Sequence, residues 1–321
     1  MVKGLATVYD NLSTLLAAGV PLIRSLRTVS AGLRGRLRQA FVQVVESIQK
    51  GMPLTDAMGM HPKVFAQLDI MIIHAAEESG NLAESLDLLG KWYEFSKRTK
   101  SRTLSGLALP ILVIHAAAFM VPMPQLILGG WDVNAYFHSV LGILAIPYIL
   151  AALIIGVMRF TPETGLARRT LDRFSLTIPG LGKALYKLAL SRYCWIFHIT
   201  SKAGMPITEC ADMAIKGTGN TVVANLFTQA VASVKAGNPF SEGLSSKLPP
   251  EFLEPWRIGE ETGQIDEITK RLAEKNAEAA EFWFKQFATW FPRIVYAVIC
   301  AIMIVMVFRG YANIYGGLLN Q

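Results

Sequence analysis

A chain of 321 residues has room for two domains, but 52% of it is apolar and only 17% charged, against roughly 45–50% and about 25% in ordinary globular proteins. That balance argues against a fully soluble enzyme. The net charge of +7 would suit nucleic acid or an anionic membrane, and its distribution selects the membrane: from Thr103 to Met158 there is no Lys or Arg, and Asp132 is the only carboxylate.

The first block, 1–103, reads as a bundle of about six short helices. Leu5, Val8, Leu12, Leu15 and Leu16 recur at helical spacing. Gly19 followed by Pro21 then marks a helix stop and restart, and the same punctuation returns at Gly51 with Pro53, at His61-Pro62 and at Gly80. Asn81 with Glu84 three residues later predicts a capping box opening the last helix, which runs through Trp92 into a basic cluster.

Three apolar stretches follow at 104–128, 140–158 and 294–314, each near the about 20 residues that cross a bilayer. The third extends past Arg309, which is expected to snorkel to the headgroups. Pro110 and Pro147 predict kinks. The connection 129–139 carries no basic residue, whereas Lys97, Arg98, Lys100 and Arg102 precede the first stretch and Arg159, Arg168 and Arg169 follow the second. The positive-inside rule therefore predicts cytoplasmic blocks at 1–103 and 159–293, with 129–139 and 315–321 periplasmic. No basic stretch with an apolar core and cleavage site opens the chain, so membrane entry is expected from internal segments. Cys194, Cys210 and Cys300 are widely spaced without CxxC, which indicates neither a disulfide framework nor a zinc site.

The block 159–293 repeats the first. Ala18-Gly19-Val20-Pro21-Leu22 recurs as Ala203-Gly204-Met205-Pro206-Ile207, and Gly51-Met52-Pro53 as Gly237-Asn238-Pro239. Pro62 with Phe65 recurs as Pro249 with Phe252, and Glu77-Glu78-Ser79-Gly80 as Glu260-Glu261-Thr262-Gly263. The fold class is therefore an all-α membrane protein with two homologous six-helix bundles and three transmembrane helices. Soluble repeats on one face of the membrane suit a docking platform better than a mid-bilayer transport site.

These residues, with Ile178-Pro179-Gly180-Leu181-Gly182-Lys183 leading into Ser191-Arg192-Tyr193, resemble the type II secretion F domain family, the inner-membrane platform proteins of type II secretion and type IV pilus assembly. The resemblance covers nearly the whole chain. It implies a multi-pass inner-membrane protein that couples a cytoplasmic hexameric assembly ATPase to extraction of a pilin or pseudopilin, alongside other inner-membrane assembly proteins and as a homo-oligomer, a dimer. A conjugative or otherwise specialised pilus system fits the same pattern. The first repeat lacks the Pro-Gly-x-Gly lead-in and the Arg-Tyr of the second, which predicts different partners for the two copies.

No catalytic set is apparent. Gly180-Leu181-Gly182-Lys183 lacks the spacing of a phosphate loop, and there is no HExxH, G-x-S-x-G or calcium-loop pattern. No enzyme activity, cofactor or metal site is predicted, and the mild basic excess of each block does not argue for nucleic acid. His115 in the first stretch reads as an interhelical hydrogen bond or as a proton relay or gate, and His198 as a packed or surface histidine. Met52, Met58, Met60 and Met71 read as core filling in preference to an adaptable interface. Arg34, Arg36 and Arg38 crowd one loop, as a solvated or lipid-facing cluster or as a dock for acidic ATPase surface. Glu77-Glu78 and Glu260-Glu261 sit where Gly80 and Gly263 should end helices, so their carboxylates face the negative dipole pole at a cost of roughly 0.3–1 kcal/mol apiece. Capping of a neighbouring helix, docking of a basic partner and divalent cation binding are the alternatives. An oligomeric channel or transporter subunit is the competing function; it requires polar residues along one face of the spans, and the first offers only His115 and the second none.

Overall fold

One device sets several of the helix ends. Leu5–Ala17 (α1) closes where Gly19 turns left-handed, and the amides of Gly19 and Val20 return to the carbonyls of Leu16 and Leu15 at 2.9 and 3.0 Å. Pro21, with φ −56 and ψ 143, opens Leu22–Ala31 (α2) without leaving an amide unpaired. Gly35–Gln49 (α3) ends the same way, the amides of Gly51 and Met52 reaching Ile48 and Ser47, and Pro53 opens the six-residue Leu54–Gly59 (α4). Gln67–Ser79 (α5) stops at Gly80, and Leu82–Met120 (α6) follows. The structure, a computed structural model, describes residues 4–128, 130–160 and 165–319, and a number of helical side chains, most of them in the apolar stretches, also lie outside the described residues.

Met123–Leu128 (α7), Val133–Phe160 (α8) and Leu166–Thr177 (α9) lead to Leu181–Lys202 (α10). The punctuation then returns. The amides of Gly204 and Met205 close onto Ser201 and Thr200, and Pro206 opens Ile207–Gly217 (α11) with φ −56 and ψ 142. Thr221–Ala224 (α12) and Thr228–Lys235 (α13) follow, then Gly237 and Pro239 before a 3-10 turn at Phe240–Gly243. Pro250–Glu261 (α14) and Ile265–Leu319 (α15) complete the chain. Gly51 and Gly237 stand at φ 89 and 83, which L side chains resist even though no atom lies within 4 Å of a would-be Cβ. No strand occurs among the described residues, so the class is all-α.

The chain divides into two compact units, and these do not follow its segments one by one. The first joins Met1–Lys100 with Tyr186–Glu278; the second joins Ser101–Leu185 with Ala279–Gln321. In the first unit, α1 buries Leu5, Val8, Tyr9 and Leu12, while Leu15 and Leu16 near its end are half-buried. Tyr9, next to Val8, fills the core as well. Phe41 packs edge-on to Phe65 at 5.4 Å, and Tyr193 stacks on Phe227 with centroids 3.6 Å apart beside the fully buried Trp256.

In the second unit many large apolar side chains face outward, among them Ile111, Leu112, Phe119, Leu141, Leu153 and Phe308. Among the described residues, no helix is long and apolar enough to cross a membrane. Many side chains of the stretches 104–128, 140–158 and 294–314, including all from 311 onward, lie outside the described residues. The backbone is helical through Pro110, Pro147 and Pro292. α8 starts at Val133, inside the expected loop 129–139, because Asp132 caps it by accepting the Ala135 amide at 3.1 Å.

Candidate functional site

The two acidic corners are built alike. Pro53 and Pro239 precede short helical turns and offer no capping side chain, so the next two amides would be orphan donors at a positive helix end. Glu77 reaches back from the last turn of α5, one carboxylate oxygen accepting from the Leu54 amide at 2.7 Å and the other from the Thr55 amide at 2.9 Å and from the Thr55 hydroxyl. Glu260, at the end of α14, accepts from the Phe240 amide and from the Ser241 amide at 2.8 Å. Each of these carboxylates thus trades the negative pole of its own helix for the positive pole of another. Their neighbours face outward: Glu78 lies 3.6 Å from His74 at an exposed site, and exposed Glu261 has no ion pair among the described residues. Also among the described residues, no group of His, Cys, Asp or Glu is placed to hold a metal ion.

The arginine cluster is a surface. Arg34 precedes α3 in extended conformation, and Gly35, at φ 61, turns the chain so that Arg36 and Arg38 follow on the first turn. All three are exposed and none has an ion pair among the described residues. Arg24 and Arg27 on α2 add to the same charge, and the stretch 11–45 holds five arginines without an acidic residue.

Between the repeated segments the first unit carries an aromatic seam. Phe95 of α6 stacks on Trp195 of α10 at 5.3 Å and on Trp92 at 6.0 Å. His198, 5.7 Å from the Trp195 ring, bonds through Nδ1 to the Asp266 carbonyl at 2.9 Å, and Ser201 donates to the Asp266 carboxylate. Burial holds the His198 pKa below its ordinary value. A groove of about 490 Å³ opens beside the seam, lined by Glu84, Asp87 and Lys91 of α6, Lys202 of α10, and Lys270 and Arg271 of α15. Both signs of charge line it.

Beneath the surface, Asp69 of α5 is fully buried and accepts from Tyr93 Oη of α6 at 2.7 Å and from the Ala66 amide at 2.9 Å. Burial pushes its carboxyl up to about 6, and drives Tyr9 and Tyr93 above the ordinary phenol range. No spacing pattern announces this cluster, whose members lie far apart along the chain.

Several expectations are refined. Asn81 precedes α6 as expected, yet it is its side-chain amide that donates to Glu84, at 2.9 Å, while its backbone amide returns to Ala76. His115 meets Tyr148 at 2.9 Å, so the second apolar stretch does contribute a polar partner, the Tyr148 hydroxyl. Met58 is buried and Met71 half-buried, but Met60 is 63% exposed and Met52 37%, so core filling describes only part of the set. A Cβ at Gly182 would collide with the Leu176 carbonyl, and Lys183 lies over the Trp283 ring at 4.4 Å. Gly180-Leu181-Gly182-Lys183 is a packed helix start.

Comparison with known proteins gives the same answer as the motifs. The family model described as type II secretion system (T2SS), protein F matches residues 8–128 and 196–309. The type IV pilus assembly protein PilC of Pseudomonas aeruginosa is 26% identical over 316 residues, covering 92% of this chain and 84% of its own. PilC of Thermus thermophilus is also 26% identical, over 85% of this chain and 72% of its own. The type II secretion system protein F of Vibrio cholerae is 25% identical over 86% of this chain and 73% of its own. The matched segments include every repeated turn and both acidic corners, and take in well over half of the sequence: the chain belongs to the T2SS protein F family.

Proposed function

We propose that this protein is a non-enzymatic inner-membrane platform that couples a cytoplasmic hexameric assembly ATPase to extraction of a pilin or pseudopilin, in pilus assembly or type II secretion. The observation that carries this reading is the family match over both repeated segments. The blocks 1–103 and 159–293 face the cytoplasm, and 104–128, 140–158 and 294–314 span the membrane. The 56 residues from Thr103 to Met158 without a basic group support this, as do the outward apolar side chains of the second unit. Arg34, Arg36 and Arg38, exposed and without an ion pair among the described residues, dock acidic ATPase surface, and Glu78 and Glu261 extend the contact at the corners that Glu77 and Glu260 hold in shape. No observation favours a channel, since His115 and Tyr148 satisfy each other.

Alkaline phosphatase fused at Asn134 or Gln321 should be active and at Gly217 inactive; activity at Gly217 would overturn the layout. Reversing Arg34, Arg36 and Arg38 to Glu should weaken copurification with the ATPase, more so at low salt, without loss of helicity. Unchanged capture would remove this loop from the docking surface.

A further inference from the structure

The second helix of each repeated segment is built on one plan with opposite charge. α2 and α11 both start one residue after a proline of nearly identical geometry, and they bury the same register: Ser25, Leu26 and Val29 in one, Cys210, Ala211 and Ala214 in the other. The shared register turns three matched positions outward, Arg24, Arg27 and Ala31 on α2 and Glu209, Asp212 and Lys216 on α11, each 185 residues further on, the offset of the Ala-Gly-x-Pro turns themselves. The charge is inverted at the first two pairs, Arg24 with Glu209 and Arg27 with Asp212. All four are exposed and none has an ion pair among the described residues. The chain therefore displays one helix face twice, with its sign inverted at these two positions, and neither copy has an ion pair among the described residues.

We propose that these faces pair two copies of this chain, α2 of one on α11 of the other and the reverse. Such an arrangement closes under a two-fold axis and makes the same contact twice. An anionic lipid surface would be served by basic residues on both segments, and a single acidic partner by α2 alone; inversion at matched positions is what self-complementarity requires. Arginine suits the role because its planar fork meets a carboxylate through two parallel hydrogen bonds. Lys216, one turn beyond Asp212, is the only basic residue on α11, and no acidic residue stands on α2. The pairing is independent of the ATPase docking proposed above, which is read by capture of a different protein.

The test uses the full chain in detergent micelles, with self-association read by energy transfer between donor- and acceptor-labelled copies. The parent chain should associate, less tightly as salt is raised. Arg24→Glu with Arg27→Glu should weaken association about tenfold or more, and so should Glu209→Arg with Asp212→Arg. Mixed together, the two variants should recover the parent affinity, because every contact between them is again of opposite sign. Unchanged thermal midpoints show that the variants fold, and the milder set Arg24→Gln with Arg27→Gln should weaken association without regaining it in any mixture. A monomeric parent chain, variants that associate as the parent does, or a mixture no tighter than its components would each overturn the proposal. So would variants that lose only binding to anionic vesicles.

Discussion

Tyr93 donates a 2.7 Å hydrogen bond to Asp69 in the interior of the first unit, tying α6 to α5 through a carboxylate with no exposed surface. Tyr9 Oη and the other Asp69 oxygen are buried beside this bond. Trp256 stands where Asp69 does by the offset of Pro62 and Pro249, and in the second segment it packs beside Tyr193 with ring centroids 6.0 Å apart. Where the first segment buries a carboxyl, the second buries an indole.

Acid should stabilise this core. Burial raises the Asp69 pKa to about 6 in the folded state, above its unfolded value, so its contribution is full below about pH 4 and lost as pH rises through 6. The loss amounts to about 3 kcal/mol. Asp69→Asn keeps an acceptor for Tyr93 and removes the buried charge. The variant should be more stable at pH 7.5, with a smaller difference between thermal midpoints measured at pH 5 and 7.5. An undiminished difference would assign the pH dependence elsewhere.

The paired glutamates should separate by role. Glu77→Gln or Glu260→Gln loses the charge and one of two accepting oxygens, at a cost of about 2 kcal/mol each. Glu78→Gln and Glu261→Gln should leave stability within about 0.5 kcal/mol, since both side chains are exposed. Chemical denaturation of the four single variants measures the difference, and equal losses at both members of a pair would contradict the capping roles.

Phe95→Ala should loosen the first unit at its seam. The ring is half-buried and stacks on both Trp92 and Trp195, so truncation should cost about 2 kcal/mol. Faster hydrogen exchange along α10 than along α1 would locate the effect at the seam.

His115 and Tyr148 should matter for packing alone. Tyr148→Phe removes the 2.9 Å contact and should lower stability by about 0.6 kcal/mol, with assembly in cells unchanged. Lost assembly with stability intact would revive the proton-relay reading of His115.

What could be read from residue order was mostly local. Gly19-x-Pro21, Gly51-x-Pro53 and their counterparts at Gly204 and Gly237 announce helix ends because a left-handed residue and a missing amide each act within one turn. The start of α6 at Asn81 was legible for the same reason, although its hydrogen bonds were not. Glu77 and Leu54 lie 23 residues apart and meet only after α4 and α5 have packed, so no spacing rule finds them. Asp69 with Tyr93, Phe95 with Trp195 and His115 with Tyr148 are hidden likewise, being joined by tertiary packing. The face inversion between α2 and α11 was present in the sequence but acquired meaning only when burial showed both helices in one register.

The capping carboxylates also say something about the order in which the chain comes together. A helix of six residues such as α4 is too short to persist alone, because the fixed cost of its first turn is not recovered over so few bonds. Its opening amides are held by a side chain that arrives only when α5 docks, and the turn after Pro239 waits on α14 in the same way. The Leu54, Thr55, Phe240 and Ser241 amides are thus late reporters during refolding: in pulse-labelling experiments they should acquire protection with helix docking, after the interiors of α3 and α10 have closed.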